Sequence, residues 1–347
     1  MITSWLTPLY AGAVAARAGL YDAGWLRSEA LPVPVLSVGN LTAGGTGKSP
    51  MVELVARTLH ELGRRPAVVS RGYRGTHTGR ATVVSTGEGP RVDAVVAGDE
   101  PVMLAAALAG VPVIVARRRR DGGELAISRF GARCIILDDG FQHRALRRDL
   151  DLLLIDGVDP FGNGRLLPAG PLREPLSAMT RAGAVVVTRA DRATVESVRR
   201  IREAAARHCP AAPIFKARTV MREIVRLVDQ MTLPVDTLRA ARVVCFAGIA
   251  HPGRFFDDVA SAGATVVASI PFPDHHGFDP LDLERIGTAA LRANADLILT
   301  TQKDAARLGR SPLPPSLAAL HAVRAATVVE EGDEGGLFVS VLARSVP

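Results

Sequence analysis

The segment of this sequence with the plainest chemistry is a glycine-rich turn, Thr42–Ser49, which reads TAGGTGKS. It follows the apolar run PVLSVGN and precedes a stretch with helical periodicity, so it joins a strand to the start of a helix. Backbone N–H groups of such a turn bind phosphates, Lys48 reaches the terminal phosphates, and the Ser49 hydroxyl binds Mg²⁺. The segment therefore predicts a nucleotide site, with a ligand-free turn as the alternative. The predicted binding residues are Thr42, Ala43, Gly44, Gly45, Thr46, Gly47, Lys48 and Ser49.

A pair of carboxylates, Asp138 and Asp139, ends a second apolar run, CIILDD. A phosphate-binding turn of this kind is accompanied by a strand whose terminal acidic residue holds the Mg²⁺ shell. Two adjacent carboxylates also repel each other unless a cation or a hydrogen-bond donor lies between them. We therefore predict that the pair binds metal, although an aspartate at a strand end also commonly caps a turn. Kinases, GTPases, ligases and partitioning ATPases all remain possible on these residues alone.

The elements that would position these residues are short apolar runs that alternate with helical stretches after Pro32. Runs bounded by Gly, Asp or Pro are typical of strands buried on both faces of a parallel sheet. The sequence thus predicts a P-loop NTPase-like α/β fold with a doubly wound, mainly parallel sheet. In such sheets ligands bind beyond the carboxyl ends of the strands, where the motifs fall. A later series of four apolar runs predicts a second, smaller α/β domain.

The chain of 347 residues is long enough for two domains. We expect a helical segment at residues 1–26, the P-loop domain at 27–212, a two-stranded linker at 213–234 and the second α/β domain at 235–347. The linker reads as two extended segments joined by a turn at Met221–Glu223. If chemistry uses residues of both domains, this linker would serve as the hinge of a closing motion.

The first 26 residues carry no charge before Arg17 and place Trp5, Tyr10, Tyr21 and Trp25 among small and apolar residues. The uncharged run is too short to span a bilayer and lacks the basic start and cleavage site of a signal peptide. Aromatic residues that flank a short apolar helix favour a position at the membrane interface. The alternative is an ordinary helix that packs on the core.

The net charge is +7 at pH 7, and only 4% of residues are aromatic. A basic balance favours an anionic partner, either nucleic acid, a membrane surface or a phosphorylated substrate. Without clustered aromatic residues for base stacking, we expect no nucleic-acid site. The three cysteines, Cys134, Cys209 and Cys245, have no zinc-ligand spacing and are predicted to be core residues in a reducing compartment.

A wider set of motifs resembles the tetraacyldisaccharide 4′-kinase family. These motifs occur in the family's order over most of the chain: VGNLTAGGTGKSP (38–50), SRGYRG (70–75), GDEP (98–101), LDDGFQHRALRRDLDLLLID (137–156), GNGRLLPAGPLREP (162–175), FAGIAHPGRFF (246–256), PDHHGF (273–278) and TQKDAARL (301–308). Thr42, where the general P-loop pattern has glycine, is also what this family shows. The resemblance implies ATP- and Mg²⁺-dependent phosphorylation of the 4′-hydroxyl of an acylated glucosamine disaccharide 1-phosphate, giving lipid IVA in lipid A biosynthesis.

The resemblance also implies roles for individual residues. Asp99 would be the general base, assisted by His275, while Lys48 and Arg173 would act on the transferring phosphate. The metal shell would comprise Ser49, Asp138, Asp139 and Glu174, and the substrate-binding residues would be Arg71, Gln142 and His143. Each has a simpler alternative: Asp99 as a helix cap, Arg173 with Glu174 as a surface pair, and His143 as a structural histidine. The implied location is the cytoplasmic face of the bacterial inner membrane, with peripheral attachment.

Two further features leave alternatives open. The run Arg117–Arg120 is either a solvated helix start or a contact for anionic lipid head groups. Lys303 binds a phosphate or base, or simply pairs with Asp304. The rivals to a lipid kinase are a membrane-associated P-loop switch ATPase, which needs no acceptor base, and a P-loop kinase or ligase for a small soluble metabolite, which needs no interfacial helix.

Overall fold

The computed structural model describes residues 6–308, 313–330 and 333–346. The helices are α1 (Leu6–Asp22), α2 (Lys48–Glu61), α3 (Ala94–Ala97), α4 (Asp99–Ala107), α5 (Arg119–Phe130), α6 (Val195–His208), α7 (Pro252–Ser261), α8 (Pro280–Arg292), α9 (Gln302–Leu308) and α10 (Asp333–Ser345). The strands are β1 (Val35–Asn40), β2 (Pro66–Ser70), β3 (Thr82–Ser85), β4 (Val113–Val115), β5 (Cys134–Asp138), β6 (Leu150–Asp156), β7 (Ala184–Thr188), β8 (Ile214–Arg226), β9 (Thr232–Pro234), β10 (Arg242–Ala247), β11 (Thr265–Pro271), β12 (Leu297–Thr301) and β13 (Leu320–Val329).

The chain divides into two compact units that are not continuous in sequence. The first contains Met1–Val92, Leu104–Thr219 and Thr327–Pro347, and the second contains Asp93–Met103 and Val220–Ala326. The sequence places its boundaries linearly, at 27–212, 213–234 and 235–347. The segment 93–103 therefore lies in a different unit from its sequence neighbours, which a reading of composition along the chain does not detect.

The first unit is built on a sheet with strand order β8-β7-β6-β1-β5-β2-β4-β3. All its neighbouring strands are parallel except the edge strand β3, which is antiparallel to β4. Every residue of β1, β5, β6 and β7 is buried, as expected for Val-, Ile- and Leu-rich strands covered on both faces. This arrangement confirms the doubly wound, mainly parallel α/β fold and brings the ends of β1 and β5 side by side.

Helix α2 packs on this sheet and fixes the position of the glycine-rich turn. Its apolar residues Met51, Val52, Val55 and Leu59 recur at helical spacing and are fully buried. Burying four side chains of this kind contributes about 1.5 to 3 kcal/mol each. The helix ends at Glu61, and Gly63 follows in the left-handed conformation with φ 72°. The start of α2 is therefore held rigidly beyond the carboxyl end of β1.

The second unit contains a parallel sheet with strand order β11-β10-β12-β13. Alternate residues of β10 belong to two different apolar clusters: Val243 and Cys245 pack with Phe255, whereas Val244 and Phe246 pack with Ile286. Because successive side chains of a strand point to opposite faces, the sheet is covered on both sides. Helix α8 begins with a capping box in which Asp279 and Asp282 each accept a backbone N–H bond. This unit is the second α/β domain that the sequence predicts.

The predicted turn at Met221–Glu223 is wrong. Strand β8 runs without interruption from Ile214 to Arg226, and the chain reverses only afterwards, before β9 pairs antiparallel with Glu223–Val225. The reversal includes Gln230 in the left-handed conformation with φ 61°. Met221, Arg222 and Glu223 continue the alternation of partly buried and exposed side chains, so they are strand residues. The hinge role of residues 213–234 stays a prediction.

Helix α1 lies on the first unit without a single buried residue. Polar contacts join it to the rest of the unit: the Tyr10 hydroxyl donates to the Arg173 carbonyl at 2.9 Å, and Arg144 pairs with Asp22 at 2.6 Å. The predicted interfacial segment begins earlier, but residues 1–5, including Trp5, lie outside the described residues. Within the described chain, no helix is long and apolar enough to cross a membrane. The membrane-interface position and the alternative of a helix that packs on the core both stay predictions for this segment.

The three cysteines are free thiols in the interior. Burial raises the pKa of Cys134 and of Cys245 to about 12. Thiols with so high a pKa remain protonated and unreactive at neutral pH. Their role as small core residues agrees with the sequence prediction.

Candidate active site

The glycine-rich turn joins a strand to a helix, as predicted, and it leaves β1 at Asn40 and enters α2 at Lys48. Gly47 takes the left-handed conformation at the N-cap, with φ 77°, and no side chain caps the helix. The first turn of α2 thus retains backbone N–H groups without side-chain acceptors, which is the arrangement that binds anions. A side chain at Gly44 or Gly45 would meet no atom within 4 Å, so the outer side of the turn is open. The Thr46 hydroxyl is buried without a hydrogen-bond partner.

Asn40 organises this turn, although the sequence analysis assigned it no role. Its side-chain amide donates to the Thr42 carbonyl at 2.9 Å, and its Oδ1 accepts from Lys48 Nζ at 3.4 Å. Its own carbonyl accepts from Gln142 Nε2 at 2.9 Å. A buried asparagine at the last position of a strand, directly before a glycine-rich turn, was the sequence signal for this function.

The carboxylates of Asp138 and Asp139 diverge at the end of β5. Asp138 is buried and accepts from the Ser70 hydroxyl at 2.9 Å. Asp139 has φ 50°, in the left-handed region, which turns its side chain towards Lys48 Nζ at 3.6 Å and Arg173 NH1 at 2.9 Å. Burial alone would raise the pKa of Asp139, but the charges of Lys48 and Arg173 lower it below its usual value. Asp139 is therefore ionised and links the P-loop lysine to the arginine.

Arg173 and Glu174 do not pair with each other, so the predicted surface pair is wrong. Glu174 is buried and accepts from Arg181 at 2.7 Å and from Gln142 Nε2 at 3.0 Å. The guanidinium of Arg181 also stacks over Phe141, 4.5 Å from the ring centroid. Glu174 thus sits in a buried hydrogen-bonded network that begins at the P-loop strand.

His143 lies in the turn that follows Asp139, surrounded by positive charge. Burial lowers the pKa of His143 to about 4, and the cations that add to this effect are Arg119, Arg148, Arg17 and Arg71. The imidazole is therefore neutral at physiological pH. Arg71 is exposed on the loop after β2. The first unit thus places two of the predicted substrate residues, Arg71 and His143, in one basic region.

The run Arg117–Arg120 is only partly solvated, which corrects the simpler of its two interpretations. Arg117 and Arg118 are exposed, but Arg119 is 3% exposed and donates to the Asp138 carbonyl at 3.4 Å. Burial lowers the pKa of Arg119 to about 10. Arg120 is engaged by Glu29 and Glu124, each at 2.7 Å. Two of the four arginines are therefore committed to contacts within the protein.

Asp99 and His275 form a second cluster, within the second unit. Asp99 is the first residue of α4, and its Oδ2 lies 3.0 Å from His275 Nδ1 and 2.7 Å from Arg307 Nε. Burial would raise the pKa of Asp99, but the hydrogen bonds and charges of Arg307 and His275 lower it. Asp99 is therefore an ionised carboxylate. The sequence predicted no role for Arg307, although this residue belongs to the motif TQKDAARL.

The neighbouring Lys303 pairs with Glu100, not with Asp304. Its Nζ lies 2.9 Å from Glu100 Oε1, whereas Asp304 is fully buried and pairs with Arg307 at 2.8 Å. The predicted pairing of Lys303 with Asp304 is wrong because successive side chains of a helix point in different directions. A phosphate or base contact by Lys303 stays a prediction.

The donor set near the P-loop fits Mg²⁺. Among the side chains that the structure describes, no three His, Cys, Asp or Glu group into a metal cage. Mg²⁺ does not require such a cage, since it is commonly held by one or two carboxylates, water and substrate phosphates. Ser49, Asp138 and Asp139 supply oxygens of this kind beside the phosphate-binding turn.

Comparisons with known proteins agree with this geometry. The family model described as tetraacyldisaccharide-1-P 4′-kinase matches residues 2–339. A relative named tetraacyldisaccharide 4′-kinase from Anaeromyxobacter sp. (strain Fw109-5) is 43% identical over 300 residues, covering 86% of this chain and 80% of that protein. One with the same name from Geobacter metallireducens is 45% identical, covering 86% of each chain. The crystal structure of LpxK from Aquifex aeolicus in complex with ATP superposes with a TM-score of 0.77 at 31% identity, covering 99% of this chain and 98% of that one.

Proposed function

The chain belongs to the tetraacyldisaccharide 4′-kinase family, and from this premise we propose which of its residues carry out the reaction. The enzyme transfers the γ-phosphate of ATP to the 4′-hydroxyl of a tetraacyldisaccharide 1-phosphate in lipid A biosynthesis, with Mg²⁺ as cofactor. The family resemblance of the sequence is thereby confirmed. The observation that carries the assignment of roles is the ionised carboxylate of Asp99, 3.0 Å from His275 Nδ1.

Asp99 is the general base in this proposal. Its carboxylate accepts the proton of the 4′-hydroxyl as the sugar oxygen forms its bond to the γ-phosphorus and the bond from that phosphorus to ADP breaks. His275 and Arg307 both contact Oδ2, so Oδ1 is the oxygen turned to the acceptor. The contact of His275 Nδ1 with Oδ2, at 3.0 Å, holds the carboxylate in one orientation. Positioned bases of this kind contribute about 10² to 10⁴ in rate.

The P-loop and the Asp138–Asp139 pair bind the triphosphate. Amides of the turn and of the first turn of α2 face its oxygens, and Lys48 exchanges its contact with Asp139 for the terminal phosphates. Ser49 and the carboxylate pair would hold Mg²⁺, which would supply positive charge to neutralise the phosphates in the transition state. Glu174 is assigned to the outer part of this shell, where its contacts with Gln142 and Arg181 orient it.

Arg173 stabilises charge on the transferring group. Its NH1 lies 3.1 and 2.9 Å from the two oxygens of Asp139, so its guanidinium is fixed next to the metal shell. It keeps 29% of its side-chain surface exposed, which leaves further N–H donors available for phosphate oxygens. An arginine held in advance by a carboxylate stabilises developing negative charge without large reorganisation.

The anionic disaccharide binds to the basic region of the first unit in this proposal. His143 is neutral, so one ring nitrogen donates and the other accepts, which suits sugar hydroxyls. Arg71 is exposed next to it and supplies charge for the 1-phosphate. Gln142 donates to the Asn40 carbonyl and to Glu174, so this proposed acceptor residue is hydrogen-bonded to the strand that leads into the P-loop.

Helix α1 attaches the enzyme peripherally to the membrane that holds its lipid substrate, at the cytoplasmic face where ATP is present. Five large apolar residues in and after this helix are exposed: Leu6, Leu9, Leu20, Trp25 and Leu26. Trp25 is 80% exposed, which is costly in water and favourable at the headgroup level of a bilayer. A soluble small-metabolite kinase would have no use for such a surface.

The roles are tested by incubating the enzyme with labelled ATP and the lipid disaccharide. We expect acceptor-dependent label transfer that falls by about 100- to 10,000-fold in Asp99→Ala. The matched control is Asp93→Ala, which removes an exposed aspartate that makes no capping bond at the start of α3. Full transfer by Asp99→Ala would refute the assignment of the base. ATP hydrolysis that ignores the acceptor would favour the switch ATPase instead.

A further inference from the structure

Arg307 of α9 connects two carboxylates in the second unit. Its side chain is only 5% exposed. Its Nε donates to Asp99 Oδ2 at 2.7 Å, while NH1 donates to the Gly248 carbonyl at 2.6 Å and to Asp304 Oδ1 at 2.8 Å. Three acceptors from three different segments thus converge on one guanidinium. Arginine is suited to this arrangement because its donors form a rigid planar fork.

Asp304 holds the guanidinium of Arg307 in a fixed position. Asp304 is fully buried, and its Oδ2 accepts from the Thr301 hydroxyl at 2.7 Å and from the Gly248 backbone N–H at 3.1 Å. Its other oxygen accepts from Arg307. Both oxygens of Asp304 are therefore satisfied, and its position is determined by β12 and by the residue that follows β10. A carboxylate held in this way fixes the guanidinium in turn.

Arg307 and His275 contact the same carboxylate oxygen of Asp99. Arg307 Nε and His275 Nδ1 both approach Oδ2 of Asp99, at 2.7 and 3.0 Å. Arg307 NH2 also lies 3.2 Å from His275 Nδ1. The guanidinium and the imidazole therefore hold the Asp99 carboxylate from the same side. Oδ1 of Asp99 is left for the acceptor hydroxyl.

We propose that Arg307 is a positioning residue for the phosphoryl-transfer reaction: anchored on Asp304, it orients the Asp99 carboxylate and keeps it ionised, so that Oδ1 is ready to accept the hydroxyl proton. The inference rests on the proposed role of Asp99 as base. It adds a residue that touches neither substrate and acts only through Asp99. Arg307 belongs to the same α9 segment in which the sequence analysis considered Lys303 alone.

The other charges around Asp99 are compatible with this role. On its own helix, Glu100 is neutralised by Lys303 at 2.9 Å. From α9, Asp304 is offset by Arg307, and from the loop after β11, Asp274 lies 3.9 Å from His275 Nε2. Burial raises the pKa of Asp99, and Arg307 is the first of the groups that lower it. Without Arg307, burial would therefore prevail and the carboxylate would take up a proton at higher pH.

The test compares the pH dependence of kcat/KM for the lipid acceptor in the wild type, Arg307→Gln and Arg307→Lys. We expect kcat of Arg307→Gln to fall by about 100-fold at pH 8, as for a misplaced catalytic group. The acid limb of its kcat/KM profile should also move to higher pH, because Asp99 would take up a proton more readily. Arg307→Lys keeps the charge but cannot bridge three acceptors, so its kcat should fall while its acid limb stays where the wild type has it. The Kd for ATP should change by less than about twofold, because Arg307 acts on the base and not on nucleotide binding.

The matched control is Arg324→Gln, which breaks another partly buried pair of the second unit, with Glu223 at 2.9 Å. Its pH profile should match the wild type, and urea unfolding of every variant reports loss of fold. A uniform decrease in Arg307→Gln, with no shift of the acid limb, would overturn the inference. If Arg307→Gln does not fold, Arg307→Lys alone provides the test. An acid limb shifted from that of the wild type, or an unchanged kcat, in Arg307→Lys would then overturn the inference. An Asp99→Asn enzyme with full activity would instead refute the proposed base.

Discussion

Replacing Asp139 by asparagine should separate nucleotide binding from turnover. Asp139 holds Lys48 at 3.6 Å and Arg173 at 2.9 Å in the structure. A triphosphate must compete with Asp139 for Lys48. The negative charge of Asp139 also repels the negative charge of the triphosphate. Asparagine keeps the shape of the side chain but removes the charge. We therefore expect Asp139→Asn to bind ATP more tightly than the wild type when Mg²⁺ is absent.

The magnitude follows from the distance. Unit charges 3.6 Å apart interact by about 4.6 kcal/mol at an effective dielectric constant of about 20 and by about 1.2 kcal/mol in bulk water. Lys48 is 10% exposed and Asp139 33% exposed, so we take about 2 kcal/mol, which corresponds to about 30-fold in Kd. With Mg²⁺ present, the loss of this proposed metal ligand should instead lower kcat by about 100-fold or more.

The assay measures the Kd of ATP by calorimetry in EDTA and in Mg²⁺, together with single-turnover rates on the lipid acceptor. Asp236→Asn is the control, because it removes the same charge from a carboxylate that is 79% exposed and paired only with Arg239. Its Kd and rate should match the wild type. Weaker metal-free binding by Asp139→Asn, or turnover that is unaffected in Mg²⁺, would refute the proposed competition for Lys48.

Three further outcomes follow from the structure. Leu9→Glu and Trp25→Glu should each weaken binding to vesicles that contain anionic lipid by about 10-fold or more, as measured by sedimentation. Activity on detergent-dispersed acceptor should persist in both variants. Vesicle binding equal to that of the wild type would rule out this segment as the membrane contact. Gly39→Ala should lower the free energy of unfolding in urea by about 1 to 3 kcal/mol, since its Cβ would lie 2.6 Å from Cβ of Phe141. His143, whose pKa is lowered to about 4, should show no imidazole titration by NMR between pH 6 and 8. Because that pKa lies below the unfolded value, its contribution to stability is present above about pH 6.5 and declines towards pH 4, so His143→Gln should flatten the pH dependence of unfolding in that interval.

Local sequence pattern was sufficient to predict those features whose chemistry and backbone geometry depend on residues close together in the sequence. The letters TAGGTGKS between an apolar run and a helical stretch predict a turn that joins a strand to a helix, and the structure has this turn between β1 and α2. Apolar runs of strand length predict the buried parallel strands, and the carboxyl end of β5 places Asp138. These features rest on backbone conformation and periodicity, which act over a few residues.

Pairing between distant segments could not be predicted in the same way. Arg307 and Asp99 are 208 positions apart, so no local pattern connects them. For Lys303 and Glu174, the suggested pairing with a sequence neighbour was wrong, and the burial of Arg119 was not predicted. Long charged side chains have many possible partners, and burial decides among them, because each ion removed from water needs a specific counterion and donors.

The sequence by itself determined that a nucleotide turn, an acidic strand end and a lipid-kinase set of motifs are present in one α/β chain. Only the tertiary structure decided that Asp99, the carboxylate proposed as the base, belongs to the second compact unit, where Arg307, His275 and Asp304 surround it. The physical reason is that a turn conformation is fixed by local steric limits, whereas the state of a carboxylate depends on which charges the folded chain brings within about 3 to 4 Å of it.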